Sequence, residues 1–271
     1  MMRSLWTAAS GMIAQQTNVD TISNNIANVN TAGYKTQKAE FKCLLYQNLQ
    51  TRTTTANGEN KPVGAQVGLG TRVAATNTYY TQGALTASEN DTDFAIDGQG
   101  FFAVRGDEGK IYYTRSGSFN WAVGVNGTTL CNSDGYPVLD STGKEIVIPN
   151  GVTSGNMMIS SDGSIGYRTA AGAYVNMNQT IGLYQFTNPA GLQKLSKSLL
   201  AETAASGQAM NEATNNGLIK SSVYQNYLEG SNVQIADEMV NLIVAQRAYE
   251  LNSKAIQASD EMLQQANSLR R

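Results

Sequence analysis

The chain has no histidine and little else from which catalytic sites are usually built. Its 271 residues include no His and two Cys, which removes Ser-His-Asp and Cys-His catalysis, most zinc sites and the commonest general base near neutral pH. Cys43 and Cys131 lie far apart without metal-ligand spacing, so only a single bridge between them stays open. A phosphate-binding loop and a G-x-S-x-G elbow are also missing. We therefore expect no catalytic, cofactor-binding or metal site, and no enzymatic function.

Charge and long apolar runs are also scarce. Charged residues make up 15% and the net charge is −2, which argues against a nucleic-acid partner because such a partner needs a basic patch. No stretch approaches the roughly 20 apolar residues of a membrane span, so we expect no membrane insertion. Gln15 and Gln16 interrupt the N-terminus too early for a secretory signal. By the ordinary route such a protein stays in the cytoplasm.

One acidic cluster deserves a chemical interpretation. It consists of Glu89, Asp91, Asp93 and Asp97, and Asp-x-Asp spacing can ligate calcium. A calcium loop also needs further oxygen ligands, a central glycine and a distal glutamate in register, which this segment lacks. We therefore interpret residues 90–93 as a turn that leads into a strand at Phe94.

Apolar residues recur every seventh position at both ends of the chain. Such a repeat keeps one narrow seam turned toward a partner helix, which is typical of a coiled coil. The pattern predicts an α+β protein whose N- and C-terminal helices form a coiled-coil-like domain, with a β-rich antiparallel middle domain. The predicted assembly interface consists of Leu5, Met12, Val19, Ile22, Ile26 and Val29 in the first helix and Ile235, Leu242, Tyr249, Ile256 and Leu263 in the second.

Burial of either apolar seam returns too little free energy to keep its helix ordered in isolation. Ordering a helix costs about 1–2 kcal/mol per residue in backbone entropy, whereas burying one large apolar side chain returns about 1.5–3 kcal/mol. Isolated helices are therefore marginal. We expect both ends to become ordered when many copies pack together. The alternative is an intramolecular helical hairpin that caps a globular core.

Capping and periodicity place the helices. The first is predicted over residues 4–30, with Ser4 as a possible N-cap and a glycine stop near residues 28–33. The C-terminal helix is predicted to begin near residues 231–232, where either side chain could cap it. Its early acidic residues, Asp237 and Glu238, favour the helix dipole.

The connection after the first helix is predicted from weaker signals. Residues 36–49 carry Phe41, Leu44, Leu45 and Leu49, which suggests a short second helix. The polar run 51–62 is either a linker or a long hairpin whose order comes from neighbouring copies, and residues 67–83 are predicted to be extended.

The middle of the chain has the pattern of an antiparallel sheet or small barrel. Short apolar runs are separated by the turn signals Asp97-Gly98, Asn126-Gly127, Asp134-Gly135 and Asp162-Gly163. We expect three parts: a terminal helical assembly domain of residues 1–35 and 231–271, a connecting segment of 36–90 and 211–230 with an insert at about 46–70, and a β-rich outer domain of 91–210.

The segment Ser23–Lys35, SNNIANVNTAGYK, resembles the N-terminal signature of the bacterial flagellar rod and hook proteins, the axial family of the flagellum. Residues 2–12, 98–104 and 113–119 resemble family segments too, and residues 231–256 resemble the C-terminal signature. Within the family, chain length and residues 44–72 resemble the distal rod type, with a proximal rod or hook-type subunit as the alternative. The signature residues are Asn24, Asn25, Asn28, Thr31, Gly33, Tyr34 and Lys35.

The resemblance implies a structural subunit that polymerises helically through its terminal helices and transmits torque in the distal rod, the drive shaft of the flagellum. It implies export through the flagellar type III apparatus without a cleaved signal peptide, and a place in the basal body outside the cytoplasmic membrane. The implied partners are further copies of itself, other rod proteins, the hook protein and bushing ring proteins. The three signature asparagines would either hydrogen-bond across packed helices or terminate the first one. A β-rich secreted binding module would explain the turns but not the matched heptads.

Overall fold

A computed structural model describes residues 2–50, 64–124, 127–148, 155, 157–169, 173–215 and 217–269. This part of the chain contains two α-helices and 20 strands, which makes the protein α+β as expected. It separates into two compact units. Unit 1 comprises Met1–Ala27, Gln37–Thr78 and Gln234–Arg271, and unit 2 comprises Asn28–Thr36 and Tyr79–Val233.

Unit 1 contains both helices. Helix α1 spans Met2–Ala27, close to the predicted range, but Ser4 lies inside the helix and is not its N-cap. Helix α2 spans Ile235–Ser268 and follows Gln234, whose side chain makes no capping hydrogen bond. The prediction of a cap at residues 231–232 was therefore wrong, whereas the acidic first turn of α2 was predicted correctly.

A long hairpin forms the rest of unit 1. Strand β1 (Gln37–Cys43) pairs antiparallel with β4 (Thr71–Thr78), and β2 (Tyr46–Gln50) pairs with β3 (Ala65–Gly68). Between the two ladders, the Leu44 amide donates to the Gly70 carbonyl at 2.9 Å. The run 51–62, predicted as a linker or long hairpin, lies outside the described residues, but the strands on either side of it are paired.

The helix predicted over residues 36–49 was wrong. Its apolar residues do have helical spacing, but charged residues also alternate along the segment at Lys38, Glu40 and Lys42. That alternation has the two-residue period of a strand. Pairing with β4 satisfies the backbone of this segment, so tertiary pairing decides its structure over local helical spacing.

Unit 2 is built from short strands, and all of their pairings are antiparallel. In the described residues its largest sheet orders six strands as β16-β17-β8-β7-β15-β18. Two short 3₁₀ helices, Asp107–Gly109 and Pro189–Gly191, interrupt the strands. The strands are β5 (Leu85–Ala87), β6 (Phe94–Asp97), β7 (Phe101–Arg105), β8 (Ile111–Thr114), β9 (Phe119–Gly124), β10 (Gly127–Asn132), β11 (Val147–Ile148), β12 (Met157–Ile159), β13 (Ser164–Arg168), β14 (Tyr174–Thr180), β15 (Leu183–Gln185), β16 (Gln193–Lys194), β17 (Leu200–Ala201), β18 (Met210–Asn211), β19 (Ser222–Gln225) and β20 (Tyr227–Glu229).

The main core of unit 2 lies among these strands and is apolar. The Phe102 ring meets the Phe119 ring edge to face at 5.2 Å, and Phe94 packs on Phe119 at 6.1 Å. Around them lie fully buried aliphatic side chains, among which are Val104 and Ile146. Edge-to-face aromatic contacts add to the stabilisation that burial itself provides.

The turns of unit 2 lie where the sequence predicts them. Gly98, Gly127, Gly135 and Gly163 all have the positive φ that their turns were predicted to need. The acidic segment is a turn, as interpreted: Asp93 accepts from Ser88 Oγ at 2.5 Å and leads directly into β6. Residues 211–230, predicted as part of the connecting segment, contain β19 and β20, which pair with β6 and β5.

Cys43 is exposed, Cys131 is buried, and both are free thiols. Among the described residues, no helix is both long and apolar enough to span a membrane.

Candidate assembly site

The two helices of unit 1 pack antiparallel along a line of eight small and polar residues, four of which are buried. On α1 this line is Ser4, Gly11, Asn18 and Asn25, and on α2 it is Glu238, Ala245, Asn252 and Ser259. Each set recurs every seven residues, so each stays on one side of its helix. We refer to these eight residues as the polar line.

Three contacts fix which residue faces which. Near one end of the helix pair, the Ser4 and Ser259 hydroxyls are 3.2 Å apart. At Gly11, a Cβ atom would come within 2.9 Å of the Asn252 side-chain nitrogen, so the missing side chain makes room for Asn252. At the other end, Asn25 Nδ2 donates to Glu238 Oε1 at 3.3 Å.

Asn25 joins three elements of unit 1. Its side chain is completely buried. Its amide nitrogen also donates to the Gln37 carbonyl at 2.8 Å, and its amide oxygen accepts from the Gln37 N–H at 3.0 Å. One signature asparagine therefore hydrogen-bonds across packed elements, which was one of the two interpretations that the sequence left open.

The predicted seam residues of the two helices lie beside the polar line, and those of α2 are less buried than Glu238, Ala245 and Ser259. Val29 was predicted in the first helix but lies beyond its end, in unit 2. Ile22 is buried, whereas Ile235 and Tyr249 are exposed. The remaining predicted seam residues are partly buried, namely Leu5, Met12, Val19, Ile26, Val29, Leu242, Ile256 and Leu263. Sequence reasoning missed the polar line because it searched for apolar repeats only. A search for any seven-residue repeat would have found it.

The outer side of α2 is apolar and exposed. Helical periodicity places Val240 and Ile243 opposite the polar line and the other exposed apolar residues of α2 on its flanks. Val240 is 60% exposed and Val244 62% exposed, and apolar side chains of this size seldom form a continuous exposed strip without a partner. The residues of this outer face are Met239, Val240, Ile243, Val244 and Leu251.

A buried charge cluster lies in unit 2 and contains a signature residue. Glu229, at the end of β20, has one side-chain oxygen 2.5 Å from Lys35 Nζ and the other 2.5 Å from Arg115 Nε. The three side chains are 1%, 4% and 6% exposed for Glu229, Lys35 and Arg115. Burial lowers the pKa of the Lys35 ammonium from its usual 10.5, while the hydrogen bond and charge of Glu229 act in the opposite direction.

The charge cluster joins segments that are distant in sequence. The Arg115 guanidinium donates to the carbonyls of Gly98, at 2.7 Å, and Gly100. Lys35 Nζ also donates to the Thr81 carbonyl at 2.8 Å. Glu229 is the one counter-charge for both cations, and each cation also donates to backbone carbonyls, so the desolvation penalty of burying the cluster is partly offset. Residues from the segments 23–35, 98–104 and 113–119, which carried the family resemblance, therefore meet here.

Gly33 brings the signature segment close to this cluster. It has φ of +71°, and a Cβ atom there would lie 2.6 Å from backbone atoms of Arg115 and Ser116. Its N–H donates to the Glu229 carbonyl at 2.8 Å. Only glycine fits both the conformation and the approach.

The other signature residues have structural contacts as well. Thr31 Oγ1 donates to Asn28 Oδ1 at 3.2 Å in the turn after α1. The Tyr34 carbonyl accepts from the Asn232 N–H, and Asn24 is exposed on α1. The Asn232 side chain accepts from the Thr36 N–H at 2.7 Å and donates to Thr81. Sequence reasoning assigned Asn232 to a helix cap and missed Arg115 and Glu229, although charges are rare enough in this chain for both to stand out.

Comparison with known families matches three parts of the chain. Residues 5–35 match the flagella basal body rod protein family, and residues 95–167 match the D1 domain of the flagellar hook protein FlgE/F/G. Residues 224–269 match the C-terminal region of the flagellar basal body rod FlgEFG protein. The chain belongs to the flagellar basal-body rod family.

Full-length relatives sharpen this assignment. The chain is 45% identical to the flagellar basal-body rod protein FlgG of Borreliella burgdorferi, with both chains covered completely. It is 41% identical to FlgG of Buchnera aphidicola from Acyrthosiphon pisum, over 99% of this chain and all of the relative. FlgG of Bacillus subtilis is 37% identical, again over both full lengths. The protein is a structural subunit of the flagellar rod.

Proposed function

We propose that this chain is a distal rod subunit that polymerises helically through its terminal helices and transmits torque. The observation that carries the proposal is the two-sided character of α2. One side packs on α1 through the polar line, and the rest of the helix surface leaves Met239, Val240, Ile243 and Val244 exposed. A subunit of a polymer needs such a second face, since burying apolar area supplies most of the driving force for association.

The hairpin supports the distal assignment over a proximal rod or hook-type subunit. It exposes apolar side chains at Tyr46 and Leu49 in β2 and at Leu45 and Leu69 between the two ladders. An exposed two-stranded ladder of this kind is marginal by itself and gains stability by packing on other protein. We propose that the insert at about 46–70 braces neighbouring subunits and stiffens the rod, while the β-rich domain faces outward.

Partners and location follow from this role. The proposed partners are further copies of the chain, other rod proteins, the hook protein and the bushing ring proteins. The proposed route is type III export without a cleaved signal peptide, to the basal body outside the cytoplasmic membrane. The helical domain acts as the coiled-coil-like assembly domain, with Ile22 of the predicted seam inside the helix pair. Ile235 and Tyr249 of the seam are exposed and, with the outer face of α2, turn toward other copies. The role needs no catalysis.

The test places a charge on the outer face. Val244→Asp should leave the monomer folded, because this side chain is already in water, but it should prevent assembly since a carboxylate would be buried at the subunit contact. Cells carrying only this variant should export the protein and yet be non-motile, with basal bodies that lack the distal rod in electron micrographs. Circular dichroism of the purified variant checks that the helices persist.

A matched control separates position from charge. Gln193→Asp adds the same charge on β16, an exposed edge strand of unit 2, and should leave motility normal. Normal rods and normal motility with Val244→Asp would refute the proposed role of the outer face.

A further inference from the structure

We propose that the polar line selects the register of the helix pair, so that α1 and α2 of one chain meet in a single antiparallel alignment. The inference concerns how the chain pairs its own helices. It therefore goes beyond the proposed polymerisation and can be tested on dilute monomer. The residues that would set the register are the ones that contact each other: Ser4 with Ser259, Gly11 with Asn252, and Asn25 with Glu238.

The apolar seam by itself leaves the register open. Met12, Val19 and Ile26 recur every seven residues on α1, as do Leu242, Tyr249, Ile256 and Leu263 on α2. A slip of seven residues would replace one apolar contact by another of similar size. Seams of this kind are known to need a polar residue to choose one alignment.

The polar line favours one alignment of the two helices, because each of its facing pairs differs in residue types from the others. A slip of one heptad in one direction would bring Asn18 opposite Asn252, where only Gly11 leaves room, and would remove Asn25 from Glu238. A slip in the other direction would place Gly11 opposite Ala245 and leave a void. The first slip would leave Glu238 without a facing residue on α1, and the second would give it the Asn18 amide, which lacks the two backbone hydrogen bonds that orient Asn25.

Asn25 is positioned before it meets α2. Its two hydrogen bonds to the Gln37 backbone hold the amide in one orientation. The remaining N–H therefore points to a defined place, and only one residue of α2 can supply the acceptor there. This makes Asn25 a positioning residue for the helix pair.

Cysteine cross-linking measures the register directly. In a Cys43→Ser background, Ser4→Cys with Ser259→Cys joins positions whose hydroxyls now lie 3.2 Å apart. Ser4→Cys with Ala266→Cys tests the alignment one heptad away. Because a disulfide tolerates little separation, we expect the first pair to oxidise at least about tenfold faster in dilute monomer.

The decisive variant replaces the hydrogen-bonded pair of Asn25 and Glu238 by two leucines. With Asn25→Leu and Glu238→Leu, the helix pair should remain but the preference for the first cysteine pair should fall about threefold, since only the match of Gly11 with Asn252 then opposes the slip that the second pair tests. Circular dichroism follows helix content. An unchanged tenfold preference with intact helices would overturn the proposal.

A second pair of variants covers the case in which those leucines prevent folding. Gly11→Asn alone should lower the in-register preference by crowding Asn252, and adding Asn252→Gly should restore it by restoring the match of large and small residues. An in-register preference that survives Gly11→Asn unchanged would also overturn the proposal. Because these rates are read on monomer, such a result would leave the Val244→Asp test of assembly unaffected.

Discussion

Unit 2 encloses a core of large apolar side chains, whereas in the described residues of unit 1 the only large aliphatic side chain that is buried is Ile22. The core of unit 2 is formed by residues such as Phe102, Val104 and Ile146, none of which is measurably exposed. In unit 1, Asn25 and Glu238 are buried while Val240 and Val244 face solvent.

This difference indicates how each unit obtains its stability. Unit 2 buries enough apolar surface to fold as an ordinary domain. Unit 1 places apolar surface where other copies can reach it and uses polar contacts to align its own helices. A chain that functions within a polymer can leave part of its burial to its neighbours.

The largest effect is expected at the buried charge cluster of unit 2. Glu229→Gln should lower the free energy of unfolding by about 3–5 kcal/mol, because Lys35 and Arg115 would stay buried without a counter-charge. Urea denaturation monitored by tryptophan fluorescence measures the change. The control Glu145→Gln removes the partner of Arg105 in a pair with both side chains over one-third exposed, for which a change of about 0–1 kcal/mol is expected. Equal losses in the free energy of unfolding for the two variants would show that burial of the cluster does not determine the size of the effect.

A matched pair of isoleucines tests the contrast between the units directly. Ile146 is fully buried in unit 2 and Ile243 is 57% exposed on α2. Ile146→Ala should lower the free energy of unfolding by about 2–5 kcal/mol. Ile243→Ala should change it by less than about 0.5 kcal/mol in the monomer. Thermal melts at a protein concentration that keeps the chain monomeric compare the two, and a large loss at Ile243 would mean that the outer face already has a partner.

The smallest effect concerns one backbone position. Gly33→Ala should lower stability by about 1–3 kcal/mol, since it requires positive φ and presses a methyl group on the backbone at Arg115. Gly143→Ala shares the positive φ but has nothing within 4 Å of its Cβ position, so it should be affected less. Melting temperatures of the two variants separate strain from crowding, and the same loss in both would assign the whole effect to φ.

The helices and the turns could be predicted from the sequence, because the patterns that mark them are local. The apolar seven-residue repeats found both helices, and the Asp-Gly and Asn-Gly pairs marked the turns of unit 2. Local spacing was misleading at residues 36–49, because a strand that pairs with a distant segment does not need a clean alternation of its own. Helix starts were also misplaced, since Asn232 makes its hydrogen bonds to Thr36 and Thr81 and none to the first turn of α2.

The charge cluster could not be predicted by periodicity at all. Lys35, Arg115 and Glu229 come from three separate segments, and nothing local connects them. The polar line was accessible in principle, because Ser4, Gly11, Asn18 and Asn25 have the same seven-residue spacing as the seam. It was missed because hydrophobicity was the only property compared.

The ion pair between Lys35 and Glu229 also indicates the order in which parts of unit 2 fold. The two residues are 194 positions apart, so their contact closes almost the whole length of unit 2 into one loop. The entropy lost in closing a loop rises with its length, and contacts of such high sequence separation slow folding. We expect residues 28–36 to be captured late, after the strands of unit 2 have paired and shortened the effective loop. The signature segment is then the last part of unit 2 to close.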